Sequence, residues 1–192
     1  MSKLKSKFLI AGVLFLPLLV SGGNETLIRS GAMPKAPQID GIIQENEWLG
    51  SVPVFGFKRY NGEVLSHRQG VWRIGFTAEN IFFSCRSQLP PEGMKLNSRI
   101  AQNGMNIYKD DTVELLFHSP KNDYVFQLGF NPNGKYFSTS YKITNGAVTH
   151  TKMLDWQPQV RIASKMHDGV WDLEVAVPIA QLGFSDGQLP VG

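Results

Sequence analysis

From Val52 onward, apolar residues recur at every second position in short runs, and turn residues separate the runs. That period marks half-buried strands, because successive strand side chains point to opposite faces. Val52 to Phe57 is one run. In Val71 to Phe76, Trp72, Ile74 and Phe76 share a face. Ala78-Glu79-Asn80 turns the chain into the apolar run Ile81 to Cys85, which predicts a hairpin. Thr112 to Phe117 places Val113, Leu115 and Phe117 on one face and Thr112, Glu114 and Leu116 on the other. Ser119 to Asp123 is a turn. Tyr124 to Phe130 then sets Phe126, Leu128 and Phe130 against Val125, Gln127 and Gly129. Asn131-Pro132-Asn133-Gly134 is a strong turn signal, and Lys135 to Tyr141 returns as a partner strand. Asn145-Gly146 turns the chain again. Gln159 to Lys165, His167-Asp168-Gly169 and Val170 to Val177 close the pattern, with Trp171, Leu173, Val175 and Val177 on one face. Residues 87–107 have no clean period. Pro178 to Gly183 reads as one helical turn, with Pro first and Gly last. Strands at this spacing, joined by hairpin turns, predict an all-β fold: an antiparallel β-sandwich of jelly-roll type.

The N-terminus follows a different logic. Lys3, Lys5 and Lys7 precede an apolar stretch from Phe8 to Val20, and Ser21-Gly22-Gly23 supplies small residues. This is the layout of a secretory signal peptide, with cleavage expected after Gly22. The apolar stretch is short for a bilayer span and contains Pro17. Residues 1–22 are thus read as a signal peptide, 23–36 as an exposed leader and 37–192 as the folded domain. The formal net charge is +3, and the signal carries three lysines and no acid, so the mature chain is neutral. The basic balance therefore does not indicate nucleic-acid binding. The hydrophobic share of 42% and charged share of 18% fit a folded globular domain rather than a disordered one.

Cys85 is the single cysteine, so no intramolecular disulfide staples the fold. Its apolar run makes it a small buried hydrophobe. Trp48, Trp72 and Trp171 sit in apolar rows and belong to the core, whereas Trp156 lies in a polar turn and is a candidate surface ring. No nucleophile elbow, phosphate loop or H-E-x-x-H pattern is present. His67, His118, His150 and His167 have no metal-ligand spacing. Glu114 and Glu174 have no partner carboxylate predicted by spacing, as glycoside hydrolysis would need. A haem-binding sandwich remains an alternative, with His118 and either Met153 or Met166 as axial ligands.

An ordered series of motifs resembles the family 9 carbohydrate-binding modules. Gln38-Ile39-Asp40-Gly41 with Glu45-Asn46-Glu47-Trp48 resembles the family's opening "IDG…E…W". Trp72 to Cys85 resembles its central hairpin. Asp110-Asp111-Thr112-Val113-Glu114-Leu115 resembles its "DDSVEL" strand, and Tyr124 to Asn131 the strand that follows. Trp156, then Asp168-Gly169-Val170-Trp171 through Pro178, resembles the closing "dG.W..E.aiP". The resemblance covers about residues 38–192. It implies a β-sandwich that binds polysaccharide or oligosaccharide without catalysis, holds structural calcium in some members, and is often attached to a secreted glycoside hydrolase. Tyr108 stands where studied members have a tryptophan platform, and Gln127 where some have an arginine. The family pattern continues past Pro190-Val191-Gly192, so the resemblance implies a sandwich lacking its last strand. A structural N-terminal module of a larger exported protein, without a working sugar site, is the other reading.

Sugars stack their C–H faces on aromatic rings and pair their hydroxyls with planar polar side chains. Glu114 and Gln127 lie opposite the apolar rows of consecutive strands, so pairing of those strands puts both on one face. Tyr108 sits just ahead of the first. Tyr108, Glu114 and Gln127 are therefore the expected sugar site, with Trp156 as a further ring. Asp110 and Asp111 are adjacent carboxylates at a loop–strand junction and suit a hard cation such as calcium. Their alternative role is to fasten the strand start through backbone hydrogen bonds.

Overall fold

Alternation along the strands builds two sheets whose apolar faces meet. The computed structural model describes residues 8–10, 30–58, 64–92, 94–118, 123–144, 147–152 and 156–182. The strands are Phe8–Ile10 (β1), Gly31–Ala32 (β2), Val52–Val54 (β3), Gly70–Phe76 (β4), Asn80–Gln88 (β5) and Val113–His118 (β6). They continue with Tyr124–Phe130 (β7), Tyr136–Thr144 (β8), Ala147–Lys152 (β9), Arg161–His167 (β10) and Val170–Pro178 (β11). One sheet has the order β1-β6-β7-β8-β9. The other runs β10-β11-β5-β4-β2, with β3 also on β4. All pairings are antiparallel except β1 on β6 and β2 on β4. Among the described residues there is no α-helix, only 3-10 turns at Glu45–Glu47, Met105–Lys109 and Ile179–Gln181. The all-β sandwich is thus the observed fold.

The core is made by the residues the period selected. Val113, Leu115, Leu128 and Phe130 from the five-stranded sheet meet Trp72, Phe83, Cys85, Trp171, Leu173, Val175 and Val177 from the other. Trp72 and Phe83 pack edge to face with ring centroids 5.0 Å apart. Each large side chain buried here contributes roughly 1.5–3 kcal/mol of transfer free energy. Burial pushes the Cys85 thiol well above the usual thiol range, and the Asp172 carboxylate adds to that shift. The thiol is therefore inert packing material.

Turn chemistry sets the register. Asp168 and Gly169 both have positive φ, 44° and 78°, as a two-residue turn that matches strand twist requires. That turn fixes His167 opposite Val170 and Trp171 opposite Met166.

Three expectations change. The segment read as an exposed leader is partly structural: Gly31–Ala32 adds a short parallel strand and Met33 is buried. A two-residue strand is too short to carry a legible period. Next, β8 runs on to Thr144 and is followed by β9, where only a turn was expected. Finally, Phe8–Ile10, inside the expected signal peptide, forms a three-residue parallel strand on β6. The remainder of residues 1–22, and residues 183–192, lie outside the described residues.

Candidate functional site

A sandwich has two outward faces, and here one is closed by the chain itself. On β11, Asp172 and Glu174 point away from the core and are fully buried. Glu174 accepts hydrogen bonds from the Asp40 amide (3.1 Å), the Gly41 amide (2.8 Å) and Trp48 Nε1 (3.2 Å). Asp172 takes both arms of the Arg86 fork, at 2.8 and 2.6 Å, and the Ile43 amide at 3.1 Å. His167 Nε2 lies 3.0 Å from the same carboxylate. These bonds fasten residues 40–48 across the six-stranded sheet. Met33, Ile43 and Trp48 pack there on Phe82 and Ala176 as a second small core. Burial raises the Glu174 carboxyl above its ordinary value, against the pull of its three donors. Burial acts likewise on Asp172, but Arg86, the Ile43 amide and His167 outweigh it and hold that carboxyl low.

The outer face of the five-stranded sheet holds the expected site. Register pairs Glu114 with Gly129 and Gly129 with Phe137, giving one row across β6, β7 and β8. Leu116, Gln127 and Thr139 form the next row, and His118, Val125 and Tyr141 the one after. Tyr108, in the 3-10 turn before β6, lies over the first two rows. Gln127 Nε2 donates to Glu114 Oε2 and to Tyr108 Oη, each at 3.0 Å. The Tyr108 ring sits against Phe137 with centroids 4.3 Å apart. Tyr108, Glu114 and Gln127 are therefore brought together: alternation puts Glu114 and Gln127 on one face, and Tyr108 reaches them from the 3-10 turn.

Their exposure differs from the expected shallow site. Glu114 and Gln127 are buried, at 6% and 8% exposure, and Phe137 is at 2%, while Tyr108 is half-buried. Burial raises the Tyr108 phenol far above its usual value, and the nearby Glu114 carboxylate raises it further. Tyr108 packs against Phe137 and accepts from Gln127 rather than standing clear of the sheet, and Val125 and Thr139 on the same face are buried as well.

The other candidates sit elsewhere. Asp110 accepts from the amides of Arg99 (3.0 Å) and Ile100 (2.9 Å) and from Asn131 Nδ2 (2.9 Å). Asp111 accepts from the Asn97 amide at 2.8 Å. The carboxylates offered to calcium thus fasten the 97–100 loop, and no group of three His, Cys, Asp or Glu converges on a metal position among the described residues. Trp156 donates from Nε1 to the Gln181 carbonyl (2.7 Å) and packs on Phe126, 4.9 Å away. It belongs to the core side of β7, apart from Tyr108. His118 faces outward on β6, whereas Met166 lies on β10 of the other sheet, so they do not face one another across a haem. Met153 lies outside the described residues. Sequence reasoning missed Phe137. Its place beside Gly129 follows from the Asn131–Gly134 turn, but only after the turn's pairing is fixed.

No family model matches the sequence, and no curated protein does. Solved structures do match. A family 9 carbohydrate-binding module from Caldicellulosiruptor kristjanssonii in complex with glucose aligns with a TM-score of 0.50. Identity is 12%, over 84% of this chain and 70% of that one. The fold is that of the family 9 carbohydrate-binding modules. A module of that family and organism in complex with cellotriose aligns with a TM-score of 0.47 and 12% identity. The alignment covers 75% of this chain and 64% of that one. No helix among the described residues is long and apolar enough to cross a membrane.

Proposed function

We propose that this protein is a non-catalytic carbohydrate-binding module whose site is the outer face of the five-stranded sheet. The observation that carries the reading is the convergence of Tyr108, Glu114 and Gln127 on one face, opposite the core. Tyr108 is the half-exposed member, so its ring meets the sugar and stacks on the C–H face. Gln127 bridges a phenol oxygen and a carboxylate through one amide nitrogen. A sugar hydroxyl can take the Tyr108 side of that bridge, accepting from Gln127 while donating to Glu114. The set contains an acceptor, a donor and a ring, which suits a neutral sugar. A module of this fold has been solved with glucose, which supports the choice of ligand class.

The same reading makes the protein exported through residues 1–22 and places it on polysaccharide or oligosaccharide. An attached glycoside hydrolase is the partner the resemblance implies.

Glycan-array screening and calorimetric titration test the site. Glu114→Ala is expected to weaken binding at least about tenfold, the loss of one charge-assisted hydrogen bond. Undiminished binding by a folded Glu114→Ala protein would overturn the assignment.

A further inference from the structure

Beside the proposed site, Gly129 and Phe137 share the row of Glu114 and have no polar side-chain chemistry of their own. Gly129 is the next-to-last residue of β7, between Glu114 on one neighbouring strand and Phe137 on the other. A glycine inside a strand weakens it and marks a close approach. Here the approach is the Phe137 ring. A Cβ added at Gly129 would lie under 3.0 Å from Phe137 Cε1, Cζ and Cδ1. The ring thus covers the bare backbone of Gly129, the cross-strand arrangement in which an aromatic shields a glycine. It is 2% exposed. Tyr108 packs against the same ring, with centroids 4.3 Å apart and planes tilted by 40°. The phenol oxygen then meets Gln127, and Gln127 meets Glu114.

We infer that Gly129 and Phe137 are positioning residues that set the height and tilt of the Tyr108 platform. The inference rests on the sugar-binding reading of this face and adds what holds its ring in place. Gly129 leaves the space, Phe137 fills it, and the filled space is the bed on which Tyr108 lies. A side chain at position 129 lifts the Phe137 ring away from the sheet. Tyr108 then moves off Gln127, and the ring no longer lies over the hydrogen-bonding pair. The expected consequence is loss of stacking geometry and of the Gln127–Tyr108 hydrogen bond, with the Gln127–Glu114 bond kept.

Two readouts separate this inference from the parent reading. The first needs no sugar: the side-chain amide resonances of Gln127 and the ring resonances of Tyr108 in isotope-labelled protein. The second is affinity for cellotriose by titration calorimetry. Gly129→Ala is expected to shift both sets of resonances and to weaken cellotriose binding about tenfold, the size of a lost stacking contact. Phe137→Leu should do the same while leaving a cooperative melt. Gly129→Ala in the Phe137→Leu background should add little, because leucine vacates the space the new Cβ needs. If Gly129→Ala does not fold, Phe137→Leu decides. A folded variant of either kind with unmoved Gln127 and Tyr108 resonances overturns the inference, since a merely structural role changes the melt and not the site. Wild-type protein that binds no sugar sinks the parent reading, and the sugar-free resonances still decide the positioning role.

Discussion

Glu174 has no exposed surface and carries a carboxylate, a combination tolerated only where donors surround the charge. Three N–H groups do so, two from the Asp40–Gly41 backbone and one from Trp48. Glu174→Leu should therefore cost about 3 kcal/mol or more, because it leaves three buried donors without an acceptor. Denaturant unfolding measures the loss. A red shift of tryptophan emission should accompany it as Trp48 loses its seat. His167 makes a second residue-scale prediction. Its pKa is raised by Asp172 first and Asp168 second. A raised histidine stabilises the fold fully below its unfolded value, near 6.5, and loses that contribution as pH climbs through the folded value. The melting midpoint should fall as pH rises above 6.5. His167→Gln should flatten that slope, and an unchanged slope would refute the assignment.

Among the elements, the irregular stretch ahead of β6 matters most to the site. It has no period because its order comes from side chains reaching its backbone. Asn131, fully buried in the β7–β8 turn, donates to the Ile100 carbonyl and the Asp110 carboxylate and accepts from the Lys135 amide. Asn133 reaches the carbonyls of Ser98 and Ile100. Asp110 closes the loop from the other end. This clasp holds the 3-10 turn that carries Tyr108. Asn131→Ala should destabilise the protein by about 1–3 kcal/mol, since it orphans buried groups. Hydrogen exchange at the Arg99 and Ile100 amides should quicken first, ahead of β5 and β11. Uniform protection across these segments would mean the clasp does not act locally. The turn Asn131 to Gly134 is legible as a turn from its residue types. That its asparagines also hold a loop some thirty residues away in sequence is not, because side-chain reach across space leaves no period.

At the scale of the whole molecule, the sandwich is asymmetric. One outer face is covered by residues 33–48, clasped by Asp172 and Glu174. The other carries the Tyr108 group, in which Tyr108 is half-exposed and Glu114, Gln127 and Phe137 are buried. That division explains why the opening "IDG" and the closing "W..E" motifs lie more than a hundred residues apart in sequence yet form one contact. Expressed with an export pathway, the mature chain is expected to begin at Gly23, which removes β1 and leaves β6 as the edge of a four-stranded sheet. Intact-mass measurement checks this, and an exported product that retains Met1 would argue for a membrane anchor.

The sequence by itself determined which residues alternate, and hence the strands, the core tryptophans and the shared outward face of Glu114 and Gln127. Strand periodicity is local and survives without knowledge of the fold. Composition likewise decided that no disulfide holds the domain. Tertiary structure decided which acids are buried and what they bind. Glu174 and Asp172 alternate like solvent-facing residues, and only the chain folded over them makes them interior. It also decided that Tyr108 packs against Phe137, and that Asp110 and Asp111 face loop amides. Those outcomes depend on contacts between segments distant in sequence, which residue types and spacing do not encode.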